Sequence, residues 1–406
     1  MNESKARANK SLIGCIILAC MIFATFSAMS NYLMGLSQKF SASVGNVVLM
    51  FSIASIAAMA GNFILSFMFK KLKIRTIIRI GAVCFGSFFL ISGLANSLAL
   101  FYAGAVCFGL SQSFCGFAVI QPVLTWWFAS NTGKKMSYVS IGYSLFTMVL
   151  SPVLAKLIAS FGVSSTLYSH GAFCFIMLLV ASFLISERPE TYGLSAYSAA
   201  VKSNATETPK PASAPQGMTR SEALKYGPYW LIVVACFAGT FMSASFNSNA
   251  SAMYQSLGLT PAQAATMISV YSGVGIIWTY AYGALTDKKT ARVSSLIFAC
   301  ISAIVCAAAV VFTGLVGGLF IAIMFGVVKF TGNYAAMNLP RIVGLKEFGS
   351  IMALSNVFIS LGGTLGSAVV GKLYDATGSY SSVLILYAAM FAIMAVTHFI
   401  GTKEKA

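Results

Sequence analysis

Lys329 lies near the middle of an apolar stretch from Leu315 to Leu339, long enough to cross a bilayer at roughly 20 residues per span. An ammonium at that depth costs ~2.5–3.5 kcal/mol on insertion scales. The nine acidic residues are Glu3, Glu187, Glu190, Glu207, Glu222, Asp287, Glu347, Asp375 and Glu404, and none falls inside an apolar stretch away from its end. Ten residues separate Lys329 from Leu339, ~15 Å of helix, which is beyond the reach of a snorkelling side chain. The chemistry this suggests is capture of an anion; the bland alternative is a lysine solvated by water and carbonyls in a cavity.

Amides and phenols supply the remaining polar groups at depth. Phe108-Gly109-x2-Gln112 and Phe325-Gly326-x2-Lys329 share one pattern, so Gln112 is the counterpart of Lys329. A glutamine can donate to a carboxylate and accept from a hydroxyl. Asn333 follows Lys329 by one helical turn and shares its face, with Tyr334 one position further round. Asn31 and Asn247 match each other in the same way; either is a ligand candidate or interhelical glue. Tyr32, Tyr143, Tyr271 and Trp278 can present a hydroxyl or ring edge to an anion, although buried aromatics more often serve packing.

The elements that must hold these groups are membrane helices. The chain has 406 residues, 58% of them hydrophobic and only 9% charged, far from the quarter charged typical of soluble domains. Apolar runs are expected at 12–36, 45–69, 76–96, 98–126, 135–160 and 165–186. Six more follow at 227–254, 262–285, 293–313, 315–339, 348–373 and 379–401. This predicts an all-α membrane protein with twelve transmembrane helices in two pseudo-symmetric six-helix halves, 1–186 and 227–406. The linker, 187–226, carries a Pro-, Ser- and Thr-rich stretch whose composition predicts disorder. The basic start, Met1 to Lys10, leads into a run too long for a signal-peptide core and reads as the first span.

Charge placement orients the chain. Of 26 Lys and Arg, Lys39, Lys156 and Lys372 fall on one side and Lys329 within the membrane; all others lie on the opposite side. The positive-inside rule makes that side cytoplasmic, with both termini and the linker, and a prokaryotic inner membrane is the expected location. The net charge of +17 is thus topological and does not indicate nucleic-acid binding. Lys156 and Lys372 could draw anions to the outer mouth or be ordinary interfacial lysines. All nine cysteines fall in apolar runs, in no metal-site spacing, and read as small buried hydrophobes. Trp126 and Trp127 read as interface anchors. His170 and His398, near span ends, read as structural.

Two further patterns repeat between the halves. Ala19-Cys20-x6-Ser27-Ala28-x2-Asn31 recurs as Ala235-Cys236-x6-Ser243-Ala244-x2-Asn247, and Lys156-Leu157-x4-Gly162 recurs as Lys372-Leu373-x4-Gly378. A near-constant offset through three helices marks parallel repeats, an architecture of transporters.

These features resemble the major facilitator superfamily. Gly283-Ala-Leu-Thr-Asp287-Lys288-Lys289-Thr-Ala-Arg292 resembles its loop signature, which implies a cytoplasmic gate role for Asp287, Lys288 and Arg292. The first-half copy, Ser66-Phe-Met-Phe-Lys70, has lysine in place of the acid. The resemblance also implies that the first and seventh spans line the cavity. More narrowly, the chain resembles the oxalate:formate antiporter and monocarboxylate porter branch. That likeness rests on Trp127-Phe128 before Gly133-Lys134, Arg188-Pro189-Glu190-x2-Gly193 and Asp375-x-Thr377-Gly378-Ser379-Tyr380. It departs from that branch in having no basic residue from Tyr271 to Thr286 or from Ile351 to Gly371.

The expected activity is secondary transport of a small organic anion, a monocarboxylate foremost, by alternating access as antiport or proton-coupled transport. A monomer without cofactor or metal is expected, and no enzyme: the glycine clusters follow no strand, so no nucleotide loop exists. Two alternatives stay open, an exporter of drug-like or neutral solutes through an aromatic cavity and a non-transporting sensor on a transporter scaffold.

Overall fold

A computed structural model describes residues 2–128, 132–194, 217–344 and 348–402. Within them the backbone is helical apart from turns, short links and isolated bridges such as Gly217 to Gly344. Among the described residues, ten helices are long and apolar enough to cross a membrane. One of these, Lys135–Leu184, is two spans joined across Gly162, and Gly314–Phe330 is a shorter apolar helix. The twelve expected spans are thereby accounted for. The disorder expected of the linker concerns residues outside those described.

Local chemistry explains where helices begin and end. The hydroxyls of Ser43, Ser97 and Thr290 accept from the backbone N–H three residues on, at 3.2, 3.4 and 3.3 Å, capping the second, fourth and ninth spans at their starts. Glu187 performs the same task remotely: its carboxylate accepts from Ile74 N at 3.1 Å and Arg75 N at 3.4 Å, at the start of Ile74–Leu94. Gly162 (φ 77°) separates the fifth span from the sixth, and its repeat partner Gly378 (φ 65°) follows the eleventh. Glycine reaches positive φ without steric penalty, so one turn chemistry is used twice.

Two compact units result. Residues 1–200, 247–255 and 260–272 form the first, and 201–246, 256–259 and 273–406 the second. Exposed apolar side chains such as Phe63, Val83, Ile277, Tyr280 and Ile304 face outward, as a lipid solvent requires.

Close helix approach recurs at matching glycines. A Cβ on Gly109 would stand 2.1 Å from the Ala54 carbonyl oxygen, so the fourth span touches the second. A Cβ on Gly326 would stand 2.6 Å from Trp278 Cδ1 and 3.3 Å from Gly275 N, so the tenth touches the eighth. The repeat read from the sequence is therefore a repeat of packing.

Several sequence expectations need correction. Trp127 is fully buried and donates to Ser186 O at 3.4 Å, so it packs inside the first unit and does not anchor at the interface. Cys300 is exposed, whereas Cys15, Cys20, Cys115, Cys174, Cys236 and Cys306 are buried. The two histidines, read as structural, do have specific partners, described below.

Candidate functional site

The three spans that carry the strongest candidates all depart from regular α-helix. The first passes through a π-helical turn, Cys20–Ala24, and a 3-10 turn, Met29–Tyr32, which holds Asn31 and Tyr32. The fourth breaks at Gly116, four residues beyond Gln112. The tenth tightens into a 3-10 segment, Phe325–Phe330, which holds Lys329. Such irregular turns in otherwise continuous helices mark functional sites more often than chance, and broken helices build the binding sites of secondary transporters.

Lys329 is half-buried. Its aliphatic stem lies across the eighth span: a Cβ on Gly275 would stand 2.8 Å from Lys329 Cγ and 3.2 Å from Cε. The glycine thus makes the channel in which the lysine stem runs. One turn away, Trp278 donates through Nε1 to Ile323 O at 3.0 Å and meets Phe298 edge-on, with centroids 6.1 Å apart. Its indole is a wall of this packing, with its polar edge committed to a backbone carbonyl.

Tyr334 is fully buried and its hydroxyl is hydrogen bonded to His398 Nδ1. His398 Nε2 lies 2.9 Å from the Arg292 carbonyl. A carbonyl only accepts, so Nε2 carries the proton and Nδ1 accepts from the tyrosine. Below it, Asn338 donates to Ser295 Oγ at 3.0 Å, which also meets Tyr282 OH at 2.7 Å. The tenth span is thereby stitched to the ninth and twelfth by polar side chains. The Arg292 guanidinium lies over the Phe399 ring, 5.7 Å from its centroid, and Lys288 is exposed. The side chains of Asp287 and Asn333 lie outside those described.

In the first unit, Asn31 Nδ2 donates to Ala28 O at 3.0 Å and to Ser151 Oγ at 2.9 Å. Its Oδ1 is buried and, among the described residues, accepts nothing. Gln112 Nε2 is a buried donor in the same condition. Tyr32 OH lies 3.1 Å from His170 Nδ1, and His170 Nε2 lies 3.3 Å from Thr25 Oγ1. Tyr143 meets Phe23 at 5.6 Å, and Phe23 stacks on Phe117 at 4.3 Å. Tyr271 is fully buried and Asn247 half-buried. Lys156 and Lys372 are both exposed.

Sequence reasoning overlooked His170, His398, Ser151 and Ser295 as partners. Tyr32 and His170 are 138 residues apart, and Tyr334 and His398 are 64 apart; no local pattern joins them.

A family model described as Major Facilitator Superfamily matches residues 14–341. A proton-coupled antiporter flippase, LtaA, of Staphylococcus saprophyticus is 30% identical over 148 residues, a stretch covering 35% of this chain and 35% of that protein. The crystal structure of a bacterial homologue of the human lysosomal transporter Spinster, inward-facing and unoccupied, superposes with a TM-score of 0.73 at 14% identity, covering 98% of this chain and 97% of that one. A D-xylose–proton symporter gives a TM-score of 0.69 at 12% identity, covering 98% and 96%. Likeness at this identity concerns the fold alone. With the family match extending over most of the sequence and that fold shared from end to end, this chain belongs to the major facilitator superfamily and is a multi-pass secondary transporter, not an enzyme.

Proposed function

We propose that this transporter carries a small organic anion, in the first instance a monocarboxylate, whose charge is met by Lys329. The observation that carries the reading is the position of that lysine: a cation on a 3-10 turn in an apolar span, its stem seated in the groove made by Gly275. An ionisable group at such depth is functional by default. The buried donor of Gln112, its repeat counterpart, has no partner among the described residues and so marks a second polar group held at depth, since buried donors are otherwise satisfied. Short stretches resembling oxalate:formate porters support the same substrate class. The charge distribution supports cytoplasmic termini in an inner membrane.

Transport proceeds by alternating access. A bound anion neutralises the lysine and lowers the cost of closing the site, so the loaded carrier reorients more readily than the empty one. That bias yields exchange; loss of the lysine's proton on release yields proton-coupled movement instead.

Counterflow of labelled lactate, pyruvate and formate into liposomes tests the reading. The native protein should exchange at least one of them, Lys329→Gln should lower it to a small residual rate, and Lys329→Arg should retain more. Unchanged exchange in Lys329→Gln, or exchange of neutral solutes alone, would overturn it. The local match to a flippase, taken together with the cation of Lys329, favours a second reading, an amphiphile with an anionic head group. Translocation of a fluorescent anionic lipid in the same liposomes, without exchange of the three acids, would select it.

A further inference from the structure

A cleft of about 390 Å³ opens on the outward surface of the first unit, between the third and sixth spans. Val83, Gly86 and Leu90 line one side, and Tyr168, Ala172 and Phe175 the other. Val83, Leu90 and Tyr168 are 56%, 55% and 38% exposed, so the cleft faces the surroundings of the helices. Its volume falls in the range of ligand sites, and its lining is apolar. Small residues create it: the spans close tightly at Gly171, where a Cβ would strike Phe89 Cβ at 2.3 Å, and at Gly93, where it would strike the Tyr168 ring at 2.3 Å. Beyond the Gly171 contact, toward the start of the third span, Gly86 leaves the Phe175 ring uncovered, since a Cβ there would lie 3.3 Å from its Cδ2.

Two dimensions suit a lipid. From Val83 to Gly93 the third span advances ten residues, ~15 Å, about half the ~30 Å hydrocarbon core and so the depth of one leaflet. At the Gly93 end stands a cation. Lys39 Nζ donates to Gly93 O at 2.8 Å, Ser164 Oγ at 3.1 Å and Ser92 O at 3.3 Å. These bonds cap the end of the third span and fix the ammonium, yet all three acceptors are neutral. Among the described residues no carboxylate reaches it. Tyr168 connects the charge to the cleft, since its ring packs on Gly93 and lines the cleft below. Its place fits the aromatic belt at a membrane interface.

We infer that this cleft binds one phospholipid with an anionic head group, taken from the leaflet that meets Lys39. One acyl chain lies along Val83, Gly86 and Leu90 against Phe175, and the phosphate sits near Tyr168 within the field of Lys39. Because the three donors of the lysine are already engaged, it acts on the head group as a fixed charge more than as a hydrogen-bond donor.

Native mass spectrometry of the purified full chain, supplied with phosphatidylglycerol and phosphatidylcholine, provides the test. The native protein should retain one phosphatidylglycerol with about fivefold preference, as expected for one lysine beside an anionic head group. Ala172→Phe, at an exposed lining position, should lose that adduct by filling the cleft. Lys39→Gln should erase the preference and Lys39→Arg restore it. Phosphatidylglycerol with a photoreactive acyl chain should label residues 83–90 and 168–175 of the unmodified protein, which keeps the test independent of variant folding. Equal retention of both lipids, an undiminished adduct in Ala172→Phe, or labelling confined to other helices would overturn the assignment.

Discussion

Ser269 donates to the carbonyl of Met148 at 2.6 Å, joining the eighth span to the fifth within the first unit. The carbonyl is available because residue 152, four places on, is a proline inside the helix and has no N–H to offer. A freed carbonyl among apolar helices is costly unless a neighbour satisfies it. The serine also reaches Ala265 O at 3.1 Å in its own helix, but the shorter bond is the one between helices.

Ser269→Ala should therefore destabilise the protein by about 1 kcal/mol, between the ~0.6 kcal/mol average and the ~1.7 kcal/mol maximum of interhelical bonds in membranes. In a Pro152→Ala background, residue 152 supplies the missing donor and the cost should largely vanish. A double-mutant cycle of reversible unfolding in mixed micelles measures this. Equal costs in both backgrounds would exclude the proline as the cause.

Gly109 and Gly326 should respond unequally to a methyl group despite their shared repeat position. At Gly109 the Cβ meets backbone, Ala54 O, at 2.1 Å, whereas at Gly326 it first meets a side chain, Trp278 Cδ1, at 2.6 Å. Overpacking costs ~1–3 kcal/mol where atoms can shift. Gly326→Ala should fall in that range and be relieved in part by Trp278→Leu, while Gly109→Ala should exceed it. Thermal unfolding of the three variants in detergent orders them.

The Tyr334 hydroxyl and His398 form a pair whose role is to brace the tenth span against the twelfth and the Arg292 carbonyl. Tyr334→Phe leaves the imidazole acceptor buried and unsatisfied, at ~1–3 kcal/mol. Stability should drop by about that amount while the half-saturating concentration for any exchanged anion stays constant. Counterflow titrations alongside thermal unfolding separate the two effects; a large rise in the half-saturating concentration would instead assign Tyr334 to the substrate.

Much of the scaffold was legible because apolar runs and their polar punctuation depend only on local composition. The break between the fifth and sixth spans, for instance, falls at Gly162, inside the gap expected from 160 to 165. Lys329 was equally visible, since a charge in an apolar run needs no partner to be noticed. The π turn at Cys20–Ala24 contains no proline or glycine, so nothing local announces it. Trp127 sits beside a polar loop and so resembles a belt residue, but Ser186, distant in sequence, accepts from its indole and holds it inside. Tyr32 and Tyr334 read as free phenols because each histidine partner lies several helices away.

Gly275 offers the last test, since it bears on Lys329 without altering it. The lysine stem crosses the eighth span where position 275 has no side chain, and a Cβ there would stand 2.8 Å from Lys329 Cγ, 3.2 Å from Cε and 3.5 Å from Cδ. Cγ lies close to the backbone of the tenth span and cannot swing away as a terminal group can, so Gly275→Ala must redirect the whole stem. Alanine also favours helix over glycine by ~1 kcal/mol, which offsets part of the crowding and keeps the variant folded. If Lys329 holds the anion, exchange should fall about tenfold, the change that ~1.4 kcal/mol of lost binding produces, with thermal stability within a few degrees of the native protein. Comparing Gly275→Ala with Gly275→Ala/Lys329→Gln then separates causes. If the alanine acts only by moving the amine, the double variant should transport no worse than Lys329→Gln alone, whereas a further loss would show that Gly275 serves helix movement independently of the lysine.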